Sequence, residues 1–268
     1  MMRKNDSGLS MAVGFVMVLL VIAMIIGMWA VIGVPEQIRD AEDYHAIGVT
    51  NAFLDYKIAV DNLWKNDWSG LNVSMLIPAA SAYADGALFM EEGTGSLQIL
   101  NGGTPYGTYD ISRLYATFGT TNTWVGYESG GVFRKDYGSA VWVTPPSISI
   151  DKQESDFNIV MIVPEMEGAF AVGSSEGIPV DTSLFVVSSS SYPPTNQITI
   201  AYMSDEEWDV ALWSAFFNET QIRYQNENLN ITSNMLSPTK ASLEITSPSD
   251  VLNLTIIMPM YSVDVRGY

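Results

Sequence analysis

The stretch MAVGFVMVLLVIAMIIGMWAVIGV, residues 11–34, determines how the whole chain is organised. Its 24 residues include no charged or strongly polar side chain. A helix of that length spans roughly 36 Å at about 1.5 Å per residue, which is enough to cross the hydrocarbon core of a bilayer. A helix buried in a soluble protein is rarely so long and so uniformly apolar. The sequence therefore predicts a membrane-spanning helix.

The flanking residues predict the orientation and the retention of this helix. Arg3 and Lys4 precede it, whereas Glu36 and Asp40 follow it. The positive-inside rule then places the short N-terminus in the cytoplasm and the remaining residues outside the cell. A cleaved secretory signal would have a shorter apolar region, about 7–15 residues, that ends in a small-residue cleavage site. Pro35 follows directly instead, so we expect the helix to be retained.

The composition excludes several kinds of site. Among 268 residues there are 12 Lys plus Arg, 30 Asp plus Glu, one His and no Cys, and the formal net charge is -18. Without thiols the chain cannot form a disulfide, an iron–sulfur cluster or a cysteine-based zinc site. Nucleic acid is not expected as a partner, because phosphate contacts need a basic patch. We therefore predict no cofactor and no metal.

Residues 35–66 are predicted to form an amphipathic stalk helix. Apolar side chains recur every three or four positions between Ile38 and Leu63, with polar side chains on the other face. Pro35 removes one hydrogen bond between residues i and i−4, and Gly33 lies just before it. We therefore expect a kink at this position.

Residues 67–268 are predicted to form an all-β head, either a sandwich or an open barrel. Short runs rich in β-forming residues alternate there with turn signals, a pattern typical of these architectures. The candidate strands are residues 73–77, 87–90, 97–100, 114–118, 124–127, 132–134, 140–143, 147–150, 158–163, 169–172, 183–187, 197–202, 221–224, 241–245 and 252–259. The predicted fold class is thus α+β, a long hydrophobic-then-amphipathic N-terminal helix followed by a β-rich globular head.

One short helix is predicted within the head, near residues 205–217. Ser204 and Glu207 stand at the spacing of a capping box. The apolar stripe that follows consists of Trp208, Ala211, Leu212, Ala215 and Phe216. We interpret the acidic residues at the start as partners of the helix dipole and not as an acid/base pair.

Motifs that suggest chemistry have simpler interpretations in this context. GSSEG at residues 173–177 matches G-x-S-x-G, but it lacks a following helix and a later His, so we expect a turn. The acidic run at residues 151–156 lacks the spacing of an EF-hand and is interpreted as a solvated loop. His45, the single histidine, is expected at the edge of the packed face of the stalk helix. No catalytic residue is predicted, and we do not expect an enzyme.

An exported head makes N-glycosylation motifs relevant. Four positions fit N-x-[ST] without proline, namely Asn72, Asn218, Asn230 and Asn253. We therefore predict N-linked glycans on part of this set. An acidic, glycosylated surface would keep neighbouring heads soluble and mutually repelling at low salt.

The residues before the apolar helix resemble a known kind of leader. RKNDSGLSMAVG, residues 3–14, resembles the class III signal peptide of the archaellin/pilin superfamily of archaeal type IV pilin-like proteins. Leu9 and Met11 replace the Val and Pro common at that junction. The resemblance implies that residues 1–8 form the leader and that a prepilin peptidase cleaves between Gly8 and Leu9. Residues 9–34 would then remain as a membrane and filament-core helix.

The same resemblance implies a function as a filament subunit. Such a protein passes from membrane lipid into a helical homopolymer with the help of a pilus assembly machinery, and its heads serve adhesion or surface contact. An apolar helix outside a bilayer must be surrounded by other helices. Four small residues offer positions for close approach of helices, namely Gly14, Ala23, Gly27 and Ala30.

Two further interpretations remain open beside the pilus-like filament. The first is an archaellin of a motility filament, which the break at Pro35 and the large head make less favourable. The second is a non-polymerised, membrane-anchored surface binding protein. Trp64, Trp68 and Trp124 would be the aromatic side chains available for stacking on sugars, if they are not used in the core.

Overall fold

A computed structural model describes residues 6–66, 68–80, 86–118, 123–154, 156–226 and 228–266, with side chains from Val13 onward. It confirms the α+β class, because a long N-terminal helical region precedes a head built of β-strands and one further helix. Arg3 and Lys4, on which the predicted orientation depends, lie outside the described residues.

The helices and strands occur in the following order. The helical elements are α1 (Asp6–Met28), a π-helical turn (Trp29–Gly33), α2 (Val34–Lys65) and α3 (Glu207–Tyr224). The strands before α3 are β1 (Asn72–Ile77), β2 (Gly86–Asn101), β3 (Thr104–Phe118), β4 (Thr123–Glu128), β5 (Gly131–Asp136), β6 (Ser139–Thr144), β7 (Ile148–Gln153), β8 (Asp156–Ile162), β9 (Glu165–Glu167), β10 (Phe170–Ser174), β11 (Ile178–Ser191) and β12 (Gln197–Met203). The strands after α3 are β13 (Asn230–Ser237), β14 (Lys240–Thr246) and β15 (Val251–Val265).

The chain divides into two compact units between Tyr44 and His45. The second unit contains the strands, α3 and the part of α2 from His45 to Lys65. Most of the predicted stalk helix, from residue 45 onward, is therefore part of the head, although the sequence pattern placed the division at residue 66.

A π-helical turn directly precedes Pro35, where the sequence predicts a kink. The N–H of Val34 donates to the carbonyl of Trp29, five residues back. Pro35 has no N–H for the carbonyl of Val31, so the usual ladder of hydrogen bonds is interrupted there in any case. The wider turn is one of the recognised ways in which a long helix adapts to such an interruption.

The strands of the head form two sheets. Sheet A has the order β1-β11-β15-β8-β7, with β9 alongside β15, and sheet B has the order β13-β14-β12-β2-β3-β4-β5-β6, with β10 alongside β2. The described pairings are antiparallel, except that β15 runs parallel to β8 and β9. In place of a specific sandwich or barrel, the structure shows two sheets whose buried side chains form one hydrophobic cluster with α3 and another with the head portion of α2.

The head portion of α2 buries one face against both sheets. Val49, Phe53, Tyr56, Val60 and Leu63 are all buried, and their spacing of three and four residues places them on one side of the helix. Residues of this helix also bond directly to sheet A. Tyr56 Oη lies 2.8 Å from Thr182 Oγ1, and Tyr261 Oη donates to the carbonyl of Val60 at 3.1 Å.

Strand β2 connects the two halves of the core. It was predicted as two strands, but it is one element with a register shift between Glu91 and Gly95. Leu88 before the shift packs in the core around α2, whereas Leu97 after it packs in the core around α3. The paired strand β3 shows the same change, because Leu114 packs in the core around α2 and Ile111 in the core around α3.

Helix α3 differs from its prediction in bounds and in its buried face. It begins at Glu207 and extends to Tyr224, so the strand predicted at residues 221–224 is wrong. Ala211 and Ala215 of the predicted stripe are exposed. The buried side chains are Asp209, Val210, Leu212, Trp213, Phe216, Phe217 and Thr220. The helix packs against sheet strands on more than one side, so it buries a wider arc than a single stripe.

Strands β9 and β13 were not predicted. Strand β13 reads NITSNMLS, and Ile231 is its only fully buried side chain. It lies at the edge of sheet B, where the backbone pairs with β14 on one side. An edge strand with one buried side chain gives no alternating apolar pattern for sequence analysis to detect.

Candidate functional site

The apolar part of the N-terminal helix is the most unusual surface of the chain. Between Val13 and Ile32 the large hydrophobic side chains are exposed, from 46% at Ile22 to 75% at Val31. The most apolar window has a mean hydropathy of 3.0, and none of it is buried. Exposed apolar area costs about 25 cal/mol per Å² in water, and a continuous surface of this kind marks contact with lipid or protein.

The length and composition of this helix are sufficient to cross a membrane. A signal sequence near an N-terminus has the same properties, so the helix indicates either membrane anchoring or a signal function. Gly8 and Leu9, the predicted cleavage site, lie in the first turns of α1. Cleavage between them would leave the exposed apolar segment intact.

The predicted small residues lie on this exposed surface. A Cβ atom added at Gly14 or Gly27 would meet no other atom within 4 Å. Ala23 and Ala30 are exposed as well. Each of the four therefore leaves room for the backbone of a neighbouring helix, and each is equally compatible with contact to lipid.

A buried ionic cluster centred on Arg113 is the second notable feature. Arg113 lies on β3 and donates from Nε to Glu128 Oε2 at 2.6 Å and from Nη2 to Asp209 Oδ2 at 2.5 Å. It also donates from Nη1 to Glu206 Oε2 at 3.1 Å. The side chains of Arg113, Glu128 and Asp209 are at most 1% exposed. This cluster joins α3 to two central strands of sheet B.

Hydroxyl and indole groups complete the cluster. Trp213 Nε1 donates to Glu128 Oε1 at 2.8 Å, and Tyr202 Oη donates to Asp209 Oδ2 at 2.5 Å. The rings of Tyr202 and Trp213 are stacked with their centroids 4.5 Å apart. Burial raises the pKa of Tyr202 well above its ordinary value, so its hydroxyl remains a donor.

The two cationic side chains of this region, Arg113 and Lys135, also lie over aromatic rings. The guanidinium of Arg113 lies 4.6 Å from the ring centroid of Trp208. The ammonium of Lys135 lies 3.8 Å from the centroid of Trp124 and 4.5 Å from that of Trp208. Burial lowers the pKa of Lys135, and the nearby Arg113 contributes in the same direction. These contacts use the negative faces of the rings, as cation–π pairs do.

The arrangement has a structural role, because solvent does not reach its three central side chains. A buried ion pair fixes geometry more than it adds stability, since desolvation opposes the attraction between the charges. Sequence analysis missed this cluster and assigned the acidic residues near Ser204 to the helix dipole. A lone Arg113 in the apolar run of β3 and Asp209 among the aromatic residues of α3 were the signals available.

The predicted capping box is wrong. Helix α3 begins later than predicted, and Glu206 occupies the N-cap position without a side-chain bond to the helix. Ser204 lies before the cap and accepts from the N–H of Glu206 at 3.2 Å, while its hydroxyl donates to the carbonyl of Thr94 at 3.0 Å. The hydroxyl thus connects the start of α3 to the bulge of β2.

The other sequence motifs fall in ordinary structural positions. GSSEG at residues 173–177 leaves strand β10 and turns into β11, as predicted. The acidic run at residues 151–156 was interpreted as a solvated loop, which is wrong for most of it, because Asp151 to Gln153 end β7 and Asp156 begins β8. Glu154 lies in the turn between these strands, and Ser155 is outside the described residues. His45 is half-buried and contacts Phe118 edge to face at 5.1 Å, which agrees with its predicted place at the edge of the packed face.

The three tryptophans proposed for sugar contact differ in exposure. Trp64 packs against the core around α2. Trp124 stacks on Tyr115 with a centroid distance of 4.8 Å and lies beneath Lys135. Trp68, which is 47% exposed, is the one of the three with an open ring surface.

The four glycosylation candidates also differ. Asn72, Asn218 and Asn230 are exposed, at the start of β1, within α3 and at the start of β13, respectively. Asn253 is half-buried in β15, and its Nδ2 donates to Asn158 Oδ1 at 3.3 Å. Its amide is therefore engaged in the sheet, unlike the other three positions.

A polar cleft of about 480 Å³ lies beside the start of α3. Its lining includes the bulge glycines of β2 together with Asp110, Asp205 and Lys240. In the described part of the chain, no three acidic or histidine side chains come together in a way that could hold a metal ion. The cleft therefore has mixed charge and no assigned chemistry.

Comparison with known proteins gives no assignment. No family model matches the chain, and neither curated proteins nor solved structures give a significant match.

Proposed function

We propose that this chain is a structural subunit of an archaeal type IV pilus-like surface filament. The observation that carries the proposal is the wholly exposed apolar surface between Val13 and Ile32. In the precursor this surface is covered by lipid, with the N-terminus in the cytoplasm and the head outside. After cleavage between Gly8 and Leu9 it is covered by the same helix of other subunits. The partners are thus membrane lipid, a prepilin peptidase, an assembly machinery and further copies of the chain.

The energetics suit assembly from a membrane. Burial of one large aliphatic side chain is worth about 1.5–3 kcal/mol relative to exposure in water. Transfer from lipid into a protein core gains much less, because lipid is already apolar. Assembly machinery must therefore supply the work of extracting the helix from the membrane. Close packing between helices then keeps the subunit in the filament, at the small residues Gly14, Ala23, Gly27 and Ala30. The heads carry most of the acidic side chains and form the outer surface, where N-linked glycans and adhesion or surface contact are proposed.

A second candidate function is a non-polymerised, membrane-anchored surface binding protein. The feature that favours it is the length of the apolar helix, which lipid alone is able to cover. Trp68 would then be the exposed aromatic side chain available for a surface ligand. An archaellin of a motility filament is a variant of the first proposal and shares its assembly.

Mass spectrometry of the N-terminus in surface material tests the first proposal. A processed filament subunit begins at Leu9, whereas a plain anchor begins at Met1 or Met2. Negative-stain microscopy of sheared surface fractions then separates polymer from single molecules. Mature chains that begin at Leu9 and appear in filaments support the proposal, and intact N-termini without filaments support the anchor.

The variant Gly8→Leu makes this test specific. A bulky side chain before the cleaved bond should block the peptidase and abolish filaments. Gly48→Leu is the matched control for processing, because a Cβ at Gly48 meets no atom within 4 Å and the position lies far from the cleavage site. Normal filaments from the Gly8→Leu variant would contradict the proposal.

A further inference from the structure

Asp209 lies inside the head with an incomplete set of partners. Its Oδ2 accepts from Arg113 and from Tyr202, each at 2.5 Å. Its Oδ1 is buried and has no hydrogen-bond partner in the part of the chain that the structure describes. If the carboxyl were ionised, Oδ1 would carry part of the negative charge without a hydrogen-bond donor. Burying such a charge in surroundings of low polarity raises the free energy of the folded state.

The charges around Asp209 do not balance if all of them are ionised. The groups that face it are Arg113 from β3, Glu128 from β4, Lys135 from β5, Tyr202 from β12 and Glu206 at the start of α3. Tyr202 is neutral, and Glu206 is 43% exposed, so solvent screens its charge. Lys135 is held over two tryptophan rings. The three carboxyl groups thus outnumber the two cations by one, and two of the three, Glu128 and Asp209, are fully buried against the same guanidinium.

A proton resolves this imbalance at Asp209 more readily than at Glu128. Both oxygens of Glu128 accept hydrogen bonds, from Arg113 and from Trp213. Asp209 instead has a vacant oxygen on which a proton removes the excess charge without breaking either bond to Oδ2. Burial, followed by the charge of Glu128, raises the pKa of Asp209 to about 7 in the folded head.

We propose that Asp209 is a protonation switch. Its protonated form stabilises the packing of α3 on sheet B in acidic medium, and its ionised form destabilises that packing in neutral and alkaline medium. In the protonated form, the proton is on Oδ1. When the medium becomes less acidic, this proton leaves to water, and the cluster around Arg113 gains one buried negative charge. The inference concerns the head alone and is independent of the proposed filament.

The sign of the pH effect follows from the direction of the shift. The ordinary pKa of an aspartate is 3.8, and the folded value is higher. The folded state therefore binds more protons than the unfolded state between these values. The stabilisation is fully present below the ordinary pKa and is lost as the pH rises through the folded pKa. The unfolding equilibrium constant should grow by up to about tenfold per pH unit in that window.

The test is urea unfolding of the full chain in detergent micelles at a series of pH values between about 4 and 8, chosen to span the shift. We compare the wild-type chain with Asp209→Asn, which keeps the shape of the side chain and cannot ionise. The wild-type unfolding constant should rise with pH relative to that of the variant, by up to about tenfold per pH unit. Equal pH slopes for the two chains would overturn the proposal.

Glu206→Gln is the matched control. Glu206 bonds to the same guanidinium as Asp209, but it is partly exposed. Its replacement should leave the wild-type pH slope in place. If the pH dependence of the unfolding constant disappears in Glu206→Gln and persists in Asp209→Asn, the titrating carboxyl is Glu206 and the proposal is rejected.

A measurement on the unmodified protein covers the case in which Asp209→Asn fails to fold. Carbon NMR of the folded chain with labelled aspartate carboxyl groups reports which of them are neutral. At about pH 5.5, exposed aspartates are ionised, because this pH lies well above their ordinary pKa of 3.8. One aspartate should remain neutral and lose its proton near pH 7. Complete ionisation of the aspartates at about pH 5.5 would refute the switch.

Discussion

Gly95 of β2 and Tyr202 of β12 are packed so closely that a side chain at residue 95 would overlap the tyrosine ring. An ideal Cβ at Gly95 would lie 2.6 Å from Tyr202 Cζ and closer still to the hydroxyl. The ring has little freedom to move, because it stacks on Trp213 and donates to Asp209. The bulge of β2 thus determines where Tyr202 meets the ionic cluster.

The variant Gly95→Ala should therefore destabilise the head by about 1–3 kcal/mol, as overpacking of a buried site does. The methyl group would push Tyr202 away from Asp209 and disturb the stack with Trp213. Urea unfolding followed by tryptophan fluorescence measures the change. Gly173→Ala is the control, because its Cβ would meet its nearest neighbour at 3.9 Å, and it should change stability little. Equal effects of the two variants would contradict this account.

Arg113→Met should be among the most destabilising single substitutions in the head. It leaves Glu128 buried without a cation and removes a donor from Asp209, and loss of one partner from such a group costs about 3–5 kcal/mol. Arg134→Met offers a comparison on β5, where Arg134 Nε lies 2.7 Å from Asp136 Oδ2 in a partly exposed pair. That pair should contribute less than about 1 kcal/mol. Unfolding curves at one pH compare the two variants, and a loss of under about 1 kcal/mol for Arg113→Met would refute the prediction.

Phe53→Ala tests whether the head depends on the helix that leads into it. Phe53 is completely buried and contacts Tyr56 edge to face. Removal of a buried aromatic ring costs about 3–5 kcal/mol through lost burial and the cavity left behind. Ile58→Ala, at a position 59% exposed on the same helix, should change stability by less than about 0.5 kcal/mol. Urea unfolding of both variants in detergent measures the loss in the free energy of unfolding. Similar losses for the two variants would contradict the prediction.

Glycan occupancy should follow the exposure of the four acceptor asparagines in the folded head. We expect modified peptides that contain Asn72, Asn218 or Asn230, and an unmodified peptide that contains Asn253. The amide nitrogen of Asn253 is used within the sheet, at 3.3 Å from Asn158 Oδ1. Mass spectrometry of peptides from surface material measures occupancy. A glycan on Asn253 that disappears in the Asn253→Gln variant would contradict this prediction.

The features that the sequence predicts well are those with a strong local period. The apolar run between residues 11 and 34 specifies a helix, and the three-to-four spacing around Val49 and Tyr56 of α2 specifies a helix with a buried face. Most strands carry enough buried alternation, as in Ile198 and Ile200 of β12, to be detected. The class III leader and its cleavage site stay predictions that the described structure does not test.

The features that the sequence does not predict depend on contacts between distant residues. Arg113 and Asp209 are separated by 96 positions, and nothing local indicates that they meet. The bulge of β2 joins two short apolar runs into one strand because Gly95 allows close approach of Tyr202. Helix α3 continues past its predicted end because Thr220 still faces the core. In each case tertiary packing overrides the local preference.

The bond between Tyr261 and Val60 spans 201 positions, from the last strand back to the helix that opens the head. The helix therefore cannot make this contact until nearly the whole chain is available to fold. Long-range closure of this kind slows folding and leaves apolar faces uncovered in the meantime. The packing of this helix against sheet A is therefore completed only when the final strand is in place.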